Sequence, residues 1–424
     1  VIEWLFLLLP VAAASGWWAA RRGARGAPRV AAVPDPAYFR GINYLLDDQP
    51  DKAIDLFLRL SELDGEAAEI QLALGGLFRR RGEVDRAIRV HQGLVGRPDL
   101  DDQVRAFALY ELGQDYMRAG LFDRAERLFD ELVESRIHRR RALEALLEIY
   151  QQEKEWGRCM KVAVRLQDLT GRPMREEIAH YHCELAEEAL RRGDAGTAEA
   201  CLRDALSVDA SCARAVLLQA GMAMERGERD RAGALYLGVA ARDPGMVPEV
   251  LPGLSEAYRH RPEGDLRDQL SRLHGQHPGP ELLLALADAH ARTQGPGAAI
   301  ELLVTYLKGH ADLAALERLL ALHESRSAPS AGASREVCRA VRRVVQHLCS
   351  RRPKYRCEHC GFVARQLHWQ CPSCKHWSSI RAVQPQPLDD DGQDPSRPSA
   401  GLRAEPLNRV VDVNAGACQA RARR

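Results

Sequence analysis

The feature that most constrains this chain is a recurring helical hairpin, first clear in residues 68–101, AEIQLALGGLFRRRGEVDRAIRVHQGLVGRPDLD. Leu74, Gly75 and Phe78 fall on one face of a first helix that Gly82 ends. Ala87 and Leu94 mark the packed face of a second helix, which Pro98 stops. Gly75 and Ala87 are small enough to let the two helices approach closely. The Ala87 position recurs as Ala53, Ala87, Ala125, Cys159, Ala198, Ala232, Arg267 and Ala299, at steps of 32 to 39 residues. The helix-ending glycine returns as Gly82, Gly120, Gly193 and Gly227, and the first-helix aromatic as Tyr44, Phe78, Tyr116, Tyr150 and Tyr258. Residues 37–310 are therefore expected to form an all-α array in which each hairpin packs on the next. Pro248, Pro252 and Pro262 crowd the seventh hairpin, and Arg267 stands at its small position, so its helices are expected to be the least regular.

A period near 34 with this order of leucine-glycine, aromatic, glycine and alanine resembles the tetratricopeptide repeat. The second and third hairpins carry the resemblance best, the third reading YELGQDYMRAGLFDRAERLFDEL. It implies a solenoid whose first helices line a concave wall. By the repeat register that wall takes Tyr38, Ile42, Leu45, Leu72, Arg79, Phe107, Tyr110, Gln114 and Met117, an apolar and aromatic set suited to holding a protein partner. The competing expectation is that these residues pack against neighbouring repeats or the preceding linker.

Lys and Arg total 60 and Asp and Glu 59, so no whole-molecule field directs the chain to nucleic acid or an acidic surface. The sequence holds no P-loop, no GxSxG and no HExxH, and no enzyme is expected. Eleven cysteines are present, an odd number. Cys159, Cys183, Cys201, Cys212, Cys338 and Cys349 are scattered singly and Cys418 lies near the end, which is not a disulfide framework. Free thiols on helices fit a reducing compartment, so the bulk of the chain is expected in the cytosol.

Residues 2–20, IEWLFLLLPVAAASGWWAA, carry one charge, Glu3, and run into Arg21, Arg22 and Arg25. That length suits a single transmembrane helix, with Trp17 and Trp18 at the headgroups and the arginines on the cytoplasmic side. A secretory signal places its positive residues before the apolar run, whereas here they follow it. Residues 21–36 read as a linker.

After helices expected near 313–324 and 335–349, the chain reads KYRCEHCGFVARQLHWQCPSCKHWSSI from Lys354. Two Cys-x-x-Cys pairs, Cys357 with Cys360 and Cys371 with Cys374, have ten residues between them. Each pair can form a knuckle whose amides point at the sulfurs, and together they supply four thiolates to one tetrahedral metal ion, iron or zinc. Such a site has no open coordination position and offers no Lewis-acid chemistry. His359, His368 and His376 are nearby donors that four sulfurs leave unneeded. The segment resembles the rubredoxin-like fold through Tyr355, Gly361, Trp369 and Pro372, over about residues 354–381. With only residues 350–353 between it and the last helix, the module is expected to pack back on the array. Residues 382–424 have too little apolar content to pack and read as a disordered tail. An electron carrier built on the knuckle, or a zinc ribbon binding nucleic acid through Lys354, Arg356, Arg365 and Lys375, are the alternative functions. Iron in four thiolates is coloured and zinc is not, which separates the first.

An apolar anchor, a tetratricopeptide array and a terminal four-cysteine knuckle form a rare order of parts. With LFLLLPVAAA at 5–14, RGEVDRAIRVHQ at 81–92, AGLFDRAERLF at 119–129, YRCEHCGF and HWQCPSC, it resembles the lipopolysaccharide assembly protein B family of Gram-negative bacteria. Val1 is then expected to be a non-AUG start translated literally. The resemblance implies a single-pass inner-membrane adaptor that promotes degradation of the lipid A pathway deacetylase by an FtsH-type membrane AAA+ protease. It implies a further partner, an inner-membrane lipopolysaccharide sensor protein, and no nucleic acid. A homo-oligomer is compatible with the repeat but not demanded by it.

Overall fold

The computed structural model describes residues 36–46, 49–63, 68–326 and 332–383. The membrane anchor expected at 2–20, most of the linker, Cys418 and the tail from 384 lie outside the described residues. Among the described residues no helix is long and apolar enough to cross a membrane. The chain divides into two compact units, residues 1–219 and 220–424.

The first unit is built of α1 (Pro36–Leu46), α2 (Pro50–Leu63), α3 (Ala68–Arg80), α4 (Val84–Val95), α5 (Asp102–Arg118), α6 (Phe122–Ser135), α7 (Arg139–Glu153), α8 (Trp156–Thr170), α9 (Arg175–Arg191) and α10 (Ala195–Val208). The unit boundary falls within α11 (Ala213–Glu225). Between the paired helices Gly82, Gly120 and Gly193 take φ of +80°, +74° and +78°, which a side chain adopts only at a cost. The next amide then reaches back to the first helix, as Glu83 N–H to Phe78 O at 2.9 Å and Leu121 N–H to Tyr116 O at 2.9 Å. This is the hydrogen bond of a Schellman turn, and it fixes the hairpin geometry in repeat after repeat. The fourth hairpin makes the same turn on Lys154, at φ +61°, with Glu155 N–H bonded to Tyr150 O at 2.9 Å.

The small position is the centre of each hairpin. Ala53, Ala87, Ala125, Cys159 and Ala198 are wholly buried. Three hairpins share a further contact, in which a glycine of the first helix faces a ring of the second sixteen residues on. A Cβ on Gly41, Gly75 or Gly113 would lie 2.5, 2.3 or 2.6 Å from the ring of Phe57, His91 or Phe129.

The second unit continues with α12 (Arg229–Arg242), a 3-10 turn at Pro244–Met246, α13 (Val247–Ala257), α14 (Glu263–Gln276), α15 (Pro280–Thr293), α16 (Pro296–Leu307), α17 (Leu313–Arg326) and α18 (Gly332–Arg351). Gly227, at φ +77°, makes the same turn before α12. Two expectations need correction. The small position of the seventh hairpin is held by Leu266, fourth residue of α14 as Ala232 is of α12 and Ala299 of α16, and Leu266 is buried. Arg267 points outward to Asp268 at 2.7 Å, so alignment on Arg267 is one residue out of register. The prolines are also accommodated: Pro248 lies in the first turn of α13, where its missing N–H costs nothing, and α13 continues through Pro252 to Ala257.

The terminal module is a three-stranded antiparallel sheet in the order β2-β1-β3, with β1 (Tyr355–Cys357), β2 (Val363–Ala364) and β3 (Ile380–Ala382). Tyr355 pairs with Ala364 on one side and Ala382 on the other, and Cys357 with Ile380. Ala382, expected to open the tail, therefore completes the sheet. Tyr355, Cys357, Cys371 and Ile380 are its buried core, with Phe362 and Leu367 packed on them. The module docks on the helices of its own unit: the Tyr355 hydroxyl donates to Glu249 of α13, and Arg381 bonds Asp243 at 2.9 Å. Asp243 also caps the 3-10 turn through Gly245 N–H at 3.1 Å.

Candidate metal centre and binding groove

The two Cys-x-x-Cys turns bring all four sulfurs within 4.8 Å of one another. Cys357 to Cys374 and Cys360 to Cys371 each measure 3.7 Å between sulfurs. A tetrahedron with metal–sulfur bonds of about 2.3 Å has edges of about 3.8 Å, so the spacing fits one zinc or iron ion. Amide hydrogens point at the sulfurs as knuckles require: those of His359 and Cys360 at Cys357, of Phe362 at Cys360, of Ser373 and Cys374 at Cys371, and of His376 at Cys374. At Cys357 burial raises the thiol pKa, but the Ser379 hydroxyl at 3.3 Å and these amides outweigh it and bring it down to about 6. At Cys374 burial prevails and holds the thiol up at about 12. A cation supplies the charge that lets all four ionise together. Bound there, the ion would supply a cross-link between the two turns in a module with a core of only a few side chains.

In the first unit, α3 and α5 leave an open groove of about 630 Å³. Three residues of the expected wall line it: Leu72, Arg79 and Phe107, with Glu69, Glu111 and His138 around them. The Phe107 and His138 rings stand 5.8 Å apart. Tyr110, half-buried, packs its ring 5.7 Å from that of Phe129 and does not line this groove. Gln114 and Met117 are half-buried further along α5 and do not line this groove. Tyr38, Ile42 and Leu45 fall on α1, and their side chains lie outside the described ones.

A family model described as "Rubredoxin metal binding domain" matches residues 355–382, and one described as "Tetratricopeptide repeat" matches 40–99, 110–156 and 183–247. Lipopolysaccharide assembly protein B of Escherichia coli (strain K12) is 37% identical over 385 residues, covering 90% of this chain and 98% of that protein. The protein of the same name from Haemophilus influenzae is 34% identical over 393 residues, again covering 90% and 98%. The chain belongs to the lipopolysaccharide assembly protein B family.

In this member of the lipopolysaccharide assembly protein B family, a charged network that sequence reasoning missed reaches the groove through Arg79 and Glu111. Asp115, fully buried on α5, holds Arg79 at 2.8 Å on one oxygen and His91 Nδ1 at 2.5 Å on the other. Arg79 also bonds Glu111 at 2.5 Å. Burial opposes the Arg79 charge, but bonds to Glu111 and Asp115 outweigh it and raise its pKa above the ordinary value. The network ties three helices, α3, α4 and α5. The available signal was His91 itself, which follows Gly75 by sixteen residues where phenylalanine follows Gly41 and Gly113.

Proposed function

We propose that this protein acts in lipopolysaccharide assembly as a membrane-anchored adaptor on the cytoplasmic face of the inner membrane. Residues 2–20 tether it, the helical array captures the lipid A pathway deacetylase, and delivery to an FtsH-type protease lowers that enzyme's level. An inner-membrane lipopolysaccharide sensor restrains the adaptor. Tethering confines adaptor and protease to one plane and so raises their effective concentration. The observation that carries this reading is the α3–α5 groove, in which Leu72 and Phe107 stand open beside a fixed Arg79. An apolar anchor pocket with a positioned charge is how a binding surface selects a polypeptide. Family membership over almost the whole length of the named relatives supports the pathway.

The test is Phe107→Ser in cells carrying this protein as their sole copy. Loss of one anchor ring should weaken deacetylase capture about tenfold, the equivalent of about 1.4 kcal/mol. Deacetylase half-life in a pulse-chase should lengthen while helical content and melting remain close to the parent's. An unchanged half-life with unchanged co-purification would overturn the reading.

A further inference from the structure

The four-cysteine centre leaves two histidines of the same module unused. His359 sits inside the first Cys-x-x-Cys turn and His376 two residues after the second, so they stand seventeen residues apart in the sequence. The fold brings them together: their ring centroids lie 3.6 Å apart with the planes at 62°, and both rings are exposed. One nitrogen of each ring and the Cys374 sulfur lie within 4.8 Å of one another. His368, the third histidine of the module, is not part of the cluster.

We propose that His359, His376 and the Cys374 sulfur form a second metal site, which shares that sulfur with the four-cysteine centre and takes a borderline-soft divalent ion such as zinc. Three observations converge on it. His376 Nδ1 lies 3.0 Å from the Cys374 carbonyl oxygen, so that nitrogen carries the proton and donates it, leaving the Nε2 lone pair for a metal. A bond from the second ring nitrogen to a carbonyl is how ligating histidines are oriented. Lys375, at φ +60°, reverses the chain at this point, and the His376 ring returns beside the cysteine two residues before it. Cys374 is only half-buried, and a thiolate bound to one ion keeps lone pairs for another. Four thiolates around one divalent ion carry a net charge of −2, so a cation at the exposed histidines is attracted to the filled centre. Nitrogen and sulfur donors at these positions select zinc, cobalt or nickel over magnesium or calcium. Water completes the coordination, which makes this outer ion exchangeable where the inner one is held by four thiolates.

The experiment uses the full chain in detergent, dialysed against buffered zinc, with metal per chain read by elemental analysis. Wild type should hold two ions, and the double variant His359→Gln/His376→Gln one, with the second binding event at least about tenfold weaker. His368→Gln should still hold two. Cobalt added to zinc-loaded protein should give a sulfur-to-cobalt absorption band that the double variant lacks, because the shared donor is a thiolate. One ion in wild type, a second ion unaffected by the double substitution, or a cobalt spectrum without a sulfur band would each overturn the proposal.

Discussion

Gly75 and Gly76 are adjacent in α3 and meet opposite environments. A Cβ at Gly75 would sit 2.3 Å from His91 Nε2, whereas nothing lies within 4 Å of one at Gly76. His91 cannot move aside without leaving Asp115, which would then stay buried with one partner fewer. Gly75→Ala should therefore destabilise by about 1 to 3 kcal/mol through overpacking. Gly76→Ala should stabilise by up to about 1 kcal/mol, since alanine is the better helix former. Chemical denaturation of both variants checks this, and equal shifts would mean that the ring has room to yield. The sequence shows that Gly75 is small, and the repeat shows that something packs on it. That the packing ring is an imidazole with a buried carboxylate behind it depends on three helices meeting, which one-dimensional periodicity does not encode. The Tyr110 contact with Phe129 is hidden for a related reason, because the repeat register gives the angle of Tyr110 on α5 but not the reach of Phe129.

Whole elements are more legible than single contacts, because each hairpin carries its own start, turn and small position. One pattern emerges only from the structure: a cation eight residues after the first-helix aromatic stacks over that ring. Lys52 lies 5.9 Å from the Tyr44 centroid, Arg86 3.9 Å from Phe78, Arg124 5.8 Å from Tyr116 and Arg158 4.8 Å from Tyr150. Each cation comes from the second helix of the same hairpin and faces the ring of the first, a cation–π contact inside the hairpin. The terminal module is legible as four ligands and as a neighbour of the array, whereas its docking bonds are not, since Tyr355 and Glu249 are 106 residues apart. Tyr355→Phe removes a hydrogen bond to a carboxylate, a loss of about 1.5 to 3 kcal/mol when such a bond is intact. Combined with Arg381→Ala it should free the module from α13 while its metal stays bound. Hydrogen exchange should then rise at residues 243–249 with metal content unchanged. Metal loss in that double variant would instead make docking a condition of the centre.

Across the molecule, stability resides in local neighbours. A repeat array is held by each hairpin and its contacts with the next, so damage at one end propagates weakly. The module at residues 355–382 is different in kind: its buried core is four residues, two of them cysteines, so a bound metal would supply most of its folding energy. Cys371→Ser removes one of four thiolates and the most buried sulfur of the set. Replacement by an alcohol weakens the ion's hold and leaves the other thiols to share their charge without a cation. Metal should be lost, and residues 355–382 should exchange their amide hydrogens freely. Glu249 and Asp243 lose their partners, so the effect should reach α13 and the 3-10 turn of the same unit. It should stop within that unit, with the helices of residues 68–208 exchanging as in the parent, because their bonds and buried alanines do not involve the module. Elemental analysis and hydrogen exchange on the same sample decide the point. Protection lost throughout residues 68–208 would show that the array depends on its terminal metal centre, and retained metal would show that three sulfurs suffice.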